Sequence, residues 1–321
     1  MHVVVTGAAG FIGSHTVERL VAAGHHVTGI DSFDSYLYPS ERKRKNATSL
    51  EKLHRFRLVG GDICNPSAVA AAITPDVDVV CHLAALAGVR PSLADPQRYL
   101  HTNIVGTGVI VERMRALGKQ RLVFASSSSV YGKRPDTGGS FRETDPCLRP
   151  ASPYAASKRM NELQLSAYSD LWGLGVFALR FFTVFGPRQR PDMAISKFLT
   201  AISRDRPIVM YGDGSSRRDY TFINDIVSGV VAAVEGVEPS RYELINLGGT
   251  RTISLRDLIA SIAKVVGKTA LIDPKDDEPG DVPLTFANID KARSLLAYSP
   301  MTSVEDGIAQ QWSWQQADES Q

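Results

Sequence analysis

Three glycines at a spacing of three, Gly7, Gly10 and Gly13, follow directly on the apolar run at residues 2–6 and precede an amphipathic stretch at 14–23. Glycine is needed in that pattern where a strand turns sharply into a helix, where a ligand approaches the backbone, and where the helix packs closely on the sheet. The rest of the first half keeps the same alternation. β-Branched runs at 2–6, 26–30, 56–59, 77–83, 121–126 and 176–182 are separated by helix-length segments, which is the rhythm of βαβ units. Right-handed crossovers of this length cover both faces of a parallel sheet, so the expected class is α/β with a doubly wound parallel sheet. After Phe182 the rhythm lapses and Pro and Gly thicken, at Gly186-Pro187, Arg190-Pro191, Gly212, Gly214 and Pro279-Gly280. A smaller C-terminal α/β part that binds substrate is expected there. The division assigns 1–181 with about 215–248 to the sheet domain, and 182–214 with 249–321 to the smaller one.

Composition narrows the function classes. With 321 residues, 43% hydrophobic and 22% charged, the chain can bury a sizeable core and is far from the signature of disorder. A net charge of +2, with scattered Lys and Arg, argues against nucleic acid as the main partner. The cluster Arg42-Lys43-Arg44-Lys45 reads as a solvated helix start. Three separated cysteines, Cys64, Cys81 and Cys147, form neither a disulfide framework nor a zinc knuckle. No metal is expected, and a reducing cytoplasm fits. The chain enters a strand at once, leaving no room for a signal peptide, and no apolar run approaches the ~20 residues of a bilayer span.

The glycine turn, with Phe11 and Ile12 inside it, would meet a pyrophosphate. Asp31 ends the second strand eighteen residues after Gly13, where a carboxylate accepts hydrogen bonds from both hydroxyls of an adenosine ribose and repels a 2′-phosphate. The cofactor expected is therefore NAD. Asp62 and Ile63 after the third strand, Leu83, Ala84 and Ala85 after the fourth, and Ser126 and Phe181 on the fifth and sixth lie at strand carboxyl ends, where such sheets bind ligands. Asp62 reads as an adenine contact.

Ser152-Pro153 looks like an N-cap followed by the first helical residue, which puts Tyr154 and Lys158 on one face at i,i+4. An ammonium beneath the nicotinamide ribose would favour the phenolate and lower the tyrosine pKa from about 10. The run Ser126-Ser127-Ser128-Ser129-Val130-Tyr131-Gly132 leaves a buried strand and exposes hydroxyls that can assist proton transfer.

Together with Tyr211-Gly212-Asp213-Gly214 and Arg218-Asp219-Tyr220, these motifs resemble the extended short-chain dehydrogenases that act on nucleotide sugars, over nearly the whole chain. The resemblance implies a Rossmann fold, Ser127, Tyr154 and Lys158 as the catalytic group, and Asn103 on the cofactor side. It implies hydride removal from C4′ to NAD, rotation of the 4-keto sugar and hydride return to its other face. It also implies uracil held near Tyr211, the diphosphate at Arg218, the uridine ribose at Asp281, and a homodimer built by the helices at 102–117 and 153–171. Glu278 departs from the pattern, because UDP-galactose epimerases often carry a second diphosphate-binding arginine there.

Two stretches, Leu86-Ala87-Gly88-Val89-Arg90-Pro91-Ser92 and the segment 180–193, resemble UDP-glucuronate 4-epimerases in particular. Thr183 stands where neutral-hexose epimerases usually have Asn. Arg190 would bind the sugar carboxylate through its forked donors, helped by Thr183 and Ser128, with Arg90 nearby. Interconversion of UDP-glucuronate and UDP-galacturonate is the reaction implied. Decarboxylases and 4,6-dehydratases of this family carry an acid in the strand-end motif, and Ser128-Ser129-Val130 has none. The alternatives are a UDP-glucose 4-epimerase, a UDP-glucuronate decarboxylase, and an NAD-binding sensor or scaffold without turnover.

Overall fold

The computed structural model describes residues 1–133, 139–276 and 284–319. The chain runs β1 (His2–Thr6), α1 (Phe11–Ala22), β2 (His26–Asp31), α2 (Ser40–Leu50), β3 (Phe56–Gly60), α3 (Pro66–Ala72) and β4 (Val79–His82). Two short helices, α4 (Val89–Ala94) and α5 (Pro96–Leu100), lead through a π turn, His101–Val105, into α6 (Gly106–Ala116) and β5 (Arg121–Ser127). Next come α7 (Pro153–Trp172) and β6 (Gly175–Phe181).

All six strands expected from the sequence form, within two residues at each end. β1, β4 and β6 are buried almost throughout, as strands covered by helices on both faces must be, and so they read as unbroken apolar runs. Each fully buried Val, Leu, Ile or Phe contributes about 1.5–3 kcal/mol of transfer free energy, which makes this layer the main source of stability.

The second half contains β7 (Thr183–Phe185), α8 (Ala194–Ser203), β8 (Ile208–Tyr211), β9 (Arg217–Arg218), β10 (Tyr220–Phe222), α9 (Ile223–Gly236) and β11 (Tyr242–Leu247). It ends with β12 (Ile253–Ser254), α10 (Leu255–Val266), β13 (Ile272–Lys275), β14 (Leu284–Thr285), α11 (Asp290–Leu296) and α12 (Val304–Glu319). The central sheet has seven parallel strands in the order β11-β6-β5-β4-β1-β2-β3.

The edge strand β11 was not among the expected strands. Its sequence, Tyr-Glu-Leu-Ile-Asn-Leu, lacks a clean period because two polar residues have tertiary partners. Glu243 pairs with Lys291 at 2.7 Å, and Asn246 accepts from the Tyr131 hydroxyl at 2.7 Å. Small sheets, β10-β7, β12-β9-β14 and β13-β8, form the part beyond the sheet's carboxyl edge.

Candidate active site

A cleft of about 510 Å³ opens at the carboxyl ends of the central strands, where the strand order reverses between β1 and β4. The β1–α1 turn forms its floor. Gly7 has φ +68, and a Cβ there would lie 2.9 Å from the Ala84 Cα; a Cβ on Gly13 would lie 2.0 Å from the Gly7 carbonyl oxygen. Only glycine lets the turn, the helix and the β4 loop approach so closely. Helix α1 starts at Phe11 with no side-chain cap and no acid in its first turn, which leaves its N–H groups to an anion.

Asp31 Oδ2 accepts from Ala9 N at 3.1 Å and Oδ1 from Phe33 N at 2.8 Å, so two backbone donors fix the carboxylate while its remaining lone pairs serve the cleft. Burial pushes its pKa up, and these donors together with Lys43 oppose the shift. A floor of exposed backbone donors beside a fixed carboxylate fits a dinucleotide whose ribose carries free hydroxyls.

Gly7, Gly10, Phe11, Ile12, Gly13, Asp31, Asp62, Ile63, Leu83, Ala84, Ala85, Ser126, Tyr154, Lys158 and Phe181 all line the cleft. Asn103 does not. Its side chain bridges Leu86, through bonds of 2.9 and 3.0 Å, and donates to Ser157 Oγ at 2.9 Å, all from within the π turn. It therefore braces the loop after β4 against α7. Asp62 faces the cleft while its Oδ1 accepts from Cys64 N at 2.8 Å.

Helix α7 carries the reactive pair. Ser152 Oγ accepts from Ala155 N at 3.1 Å and Pro153 opens the helix, as the sequence suggests. Tyr154 hydrogen-bonds Ser127, whose Oγ accepts from Ser129 N at 3.2 Å and from Ser129 Oγ at 2.9 Å. With its lone pairs so engaged, Ser127 is set to donate toward Tyr154. Lys158, only 3% exposed, donates to the Ala125 carbonyl at 2.7 Å.

The lowering expected of the Tyr154 pKa belongs to the NAD-bound site, and in the chain alone the balance is different. Burial pushes the phenol above its ordinary value, with Ser127 and the charge of Arg190 pulling it back. Burial also brings Lys158 down to about 7, against the attraction of Glu162. Behind the serines, Glu162 accepts from Ser126 Oγ at 2.6 Å and pairs with Arg180 through bonds of 2.8 and 2.9 Å, both residues being buried. That pair turns the Ser126 hydroxyl inward.

Ser127, Ser128, Thr183 and Arg190 line the same cleft. Arg190 is not solvated. Its Nε and Nη2 donate to Asp192 at 2.9 and 2.6 Å, and its Nη1 donates to the Ala87 carbonyl at 3.1 Å. Arg188 points elsewhere and pairs with Glu18 at 2.7 Å.

Arg90, Tyr211 and Arg218 do not line the cleft. The Arg90 guanidinium lies 4.8 Å from the Tyr211 ring centroid, a cation–π contact with an aromatic face. Arg218 lies on β9, and Asp281 and Glu278 lie outside the described residues. The cleft wall also includes Tyr38, Lys43 and Met193, which the sequence reading missed. Lys43 belongs to the cluster taken as solvated, yet it folds back to donate to the Asp34 carbonyl at 2.7 Å. The available signal was its place one turn into a helix that follows the Asp31 loop.

The profile of the NAD dependent epimerase/dehydratase family matches residues 3–248. The chain is 39% identical to a UDP-glucuronate 4-epimerase of Thermodesulfobacterium geofontis, over 97% of this chain and 94% of that one. Among solved structures it resembles the UDP-glucuronic acid 4-epimerase of Bacillus cereus in complex with UDP-glucuronic acid and NAD, at 38% identity, 99% coverage of both chains and a TM-score of 0.91. It also resembles the UDP-glucose 4-epimerase of Thermus thermophilus in complex with NAD, at 30% identity, 98% coverage of both and a TM-score of 0.87.

Proposed function

The chain belongs to the NAD-dependent epimerase/dehydratase family, and from that premise we propose that it interconverts UDP-glucuronate and UDP-galacturonate by inverting C4′. The observation that carries this reading is the placement of the Arg190 guanidinium in the same cleft as Tyr154, Ser127 and Thr183. A carboxylate entering a site shielded from water needs a charged partner, and a guanidinium matches it.

Bound NAD supplies the hydride acceptor and donor at C4′. The glycine turn holds its pyrophosphate, Asp31 its adenosine ribose, and Asp62 and Ile63 its adenine. Tyr154 takes the proton of the C4′ hydroxyl while Ser127 donates its single hydrogen to the phenol oxygen, and the Lys158 ammonium favours the phenolate. After the 4-keto sugar rotates, Tyr154 returns the proton and the hydride reaches the opposite face, so the net redox change is zero. Arg190, Thr183 and Ser128 hold the carboxylate, which a β-keto acid would otherwise lose as carbon dioxide. Among the described residues, the carboxyl groups lining the cleft, Asp31, Asp34 and Asp62, lie at or beyond the ends of β2 and β3, on the far side of the sheet from β5 and α7. This favours epimerisation over decarboxylation or dehydration.

Tyr211, Arg218 and Asp281 are assigned to the UDP portion. The two-part division at 181/182, 214/215 and 248/249 is kept as a division of labour between cofactor and sugar. A homodimer through α6 and α7 is supported by Val105, Met160, Leu163 and Leu171, apolar side chains 46–68% exposed. Three free thiols fit a cytoplasmic setting.

A second reading, a UDP-glucose 4-epimerase, is favoured by the pairing of Arg190 with Asp192. Purified protein incubated with UDP-glucuronate and separately with UDP-glucose, without added reductant, separates the two readings. Anion-exchange chromatography and proton NMR should find UDP-galacturonate and no release of carbon dioxide. Turnover of UDP-glucose alone, or a UDP-pentose product, would overturn the proposal.

A further inference from the structure

Arg190 reaches the cleft from a loop, and the same loop grips it. Asp192 accepts from Nε at 2.9 Å and from Nη2 at 2.6 Å, a two-bond fork along one edge of the guanidinium. The Ala87 carbonyl accepts from Nη1 at 3.1 Å. A guanidinium has five N–H bonds in one plane, so the chain engages three of them. Two remain, one on Nη1 and one on Nη2.

The surroundings fix this arrangement. The Ala87 carbonyl also accepts from the hydroxyl of Tyr99, a fully buried residue, at 3.2 Å. The main chain after Ala87 closes on the guanidinium, so that a Cβ on Gly88 would come within 3.4 Å of Nη2. Arg190, Thr183 and Met193 line the cleft, whereas Asp192 does not. The carboxylate is the more exposed of the two partners, with a side chain 31% exposed against 13% for Arg190.

We propose that Asp192 is a positioning residue for substrate choice: by clamping the Nε–Nη2 edge of Arg190, it fixes the guanidinium in the cleft so that the remaining N–H groups of Nη1 and Nη2 serve the carboxylate of a uronate. The inference rests on the reading of Arg190 as the carboxylate partner. The Arg190–Asp192 pair is neutral as a whole, so selection comes from two aimed donors and not from an unbalanced positive charge. A neutral sugar offers no planar pair of acceptors to those donors. Without Asp192 the long side chain would regain its rotamers and turn toward whichever acceptor lay nearest. The opposite reading, in which Asp192 competes with the sugar for the same donors, demands the opposite sign on its removal.

The test compares NAD-loaded protein with its Asp192→Asn and Asp192→Glu variants, measuring dissociation constants for UDP-glucuronate and UDP-glucose by calorimetry and kcat and KM for the uronate. Asp192→Asn should weaken UDP-glucuronate binding about tenfold, the scale of one charge-assisted hydrogen bond, and change UDP-glucose binding less than twofold. KM should rise while kcat holds, and Asp192→Glu should recover part of the loss. Unchanged or tighter uronate binding in Asp192→Asn, or equal loss for both sugars, would overturn the clamp while leaving the function standing. Equal affinity of the unaltered protein for the two sugars would remove the carboxylate role of Arg190, and the clamp with it, before any substitution is made.

Discussion

The two walls of the cleft are built in different ways. On the side of β1, α1 and β2, recognition depends on main chain brought close, with Gly7 and Gly13 permitting the approach and Asp31 held by two backbone donors. On the side of β7 and the loop before α8, it depends on long side chains held by other side chains, as Arg190 is held by Asp192. A wall made of backbone has few ways to vary without losing the fold. A wall made of side-chain pairs can change its ligand by changing one partner. That is the physical reason for one cofactor and many sugars on one scaffold.

Substitutions should separate the walls by what they leave intact. The largest effect is expected where the walls meet. Tyr154→Phe removes the group that moves the proton, and turnover should fall by about 10²–10⁴. Tightly bound NAD, quantified after denaturing the protein, should stay at the level of the unaltered chain, and a parallel loss of NAD would mean that the phenol belongs to cofactor binding.

Next in size is Arg190→Ala, on the side-chain wall, which should raise KM for UDP-glucuronate about 30- to 100-fold, the scale of paired charge-assisted hydrogen bonds. Steady-state kinetics with UDP-glucose should change far less, and equal changes would show that the arginine only shapes the loop. Smaller again is Asp31→Asn on the backbone wall. The amide keeps one acceptor and loses the charge, so NAD affinity should drop about tenfold. KM for the sugar, measured at saturating NAD, should be unaltered. A shift in sugar KM would break the distinction between the walls.

The same contrast explains what could be read from the chain. Gly7, Gly10 and Gly13, the cap at Ser152 and the Tyr154–Lys158 spacing are local: each depends on neighbours within a few residues, so each is legible in order along the sequence. Contacts made by side chains across the fold are not local. Arg90 rests on Tyr211, 121 positions away, and nothing in either neighbourhood announces it. Asn103 has the residue type of a ligand contact, but its partners Leu86 and Ser157 come from two other elements. Lys43 lies in a basic run whose last two members, Arg44 and Lys45, are exposed, and the path of the loop after Asp31 turns it inward. Strand β11 lost its alternation to Glu243 and Asn246, whose partners are likewise distant.

Lys158, one turn of α7 beyond Tyr154, has the smallest and the most specific effect. In protein freed of NAD, burial brings its ammonium down to about 7, whereas in the unfolded chain a lysine titrates near about 10.4. Below about pH 7 both states hold the proton and the cost of burying the charge is fully present. Between about pH 7 and 10.4 the unfolded chain holds a proton that the folded chain has released, so this lysine makes stability rise with pH across that window, by at most about 1.4 kcal/mol per unit. Lys158→Met has no proton to exchange. Urea unfolding of both NAD-free proteins at pH 6, 7.5 and 9 should show the variant gaining most at pH 6, with the difference narrowing as pH rises. Equal slopes would mean that the ammonium keeps an ordinary hold on its proton. It would then stand charged at neutral pH even without NAD and could itself favour the Tyr154 phenolate. Unequal slopes would leave Ser127 and Arg190 to share that work.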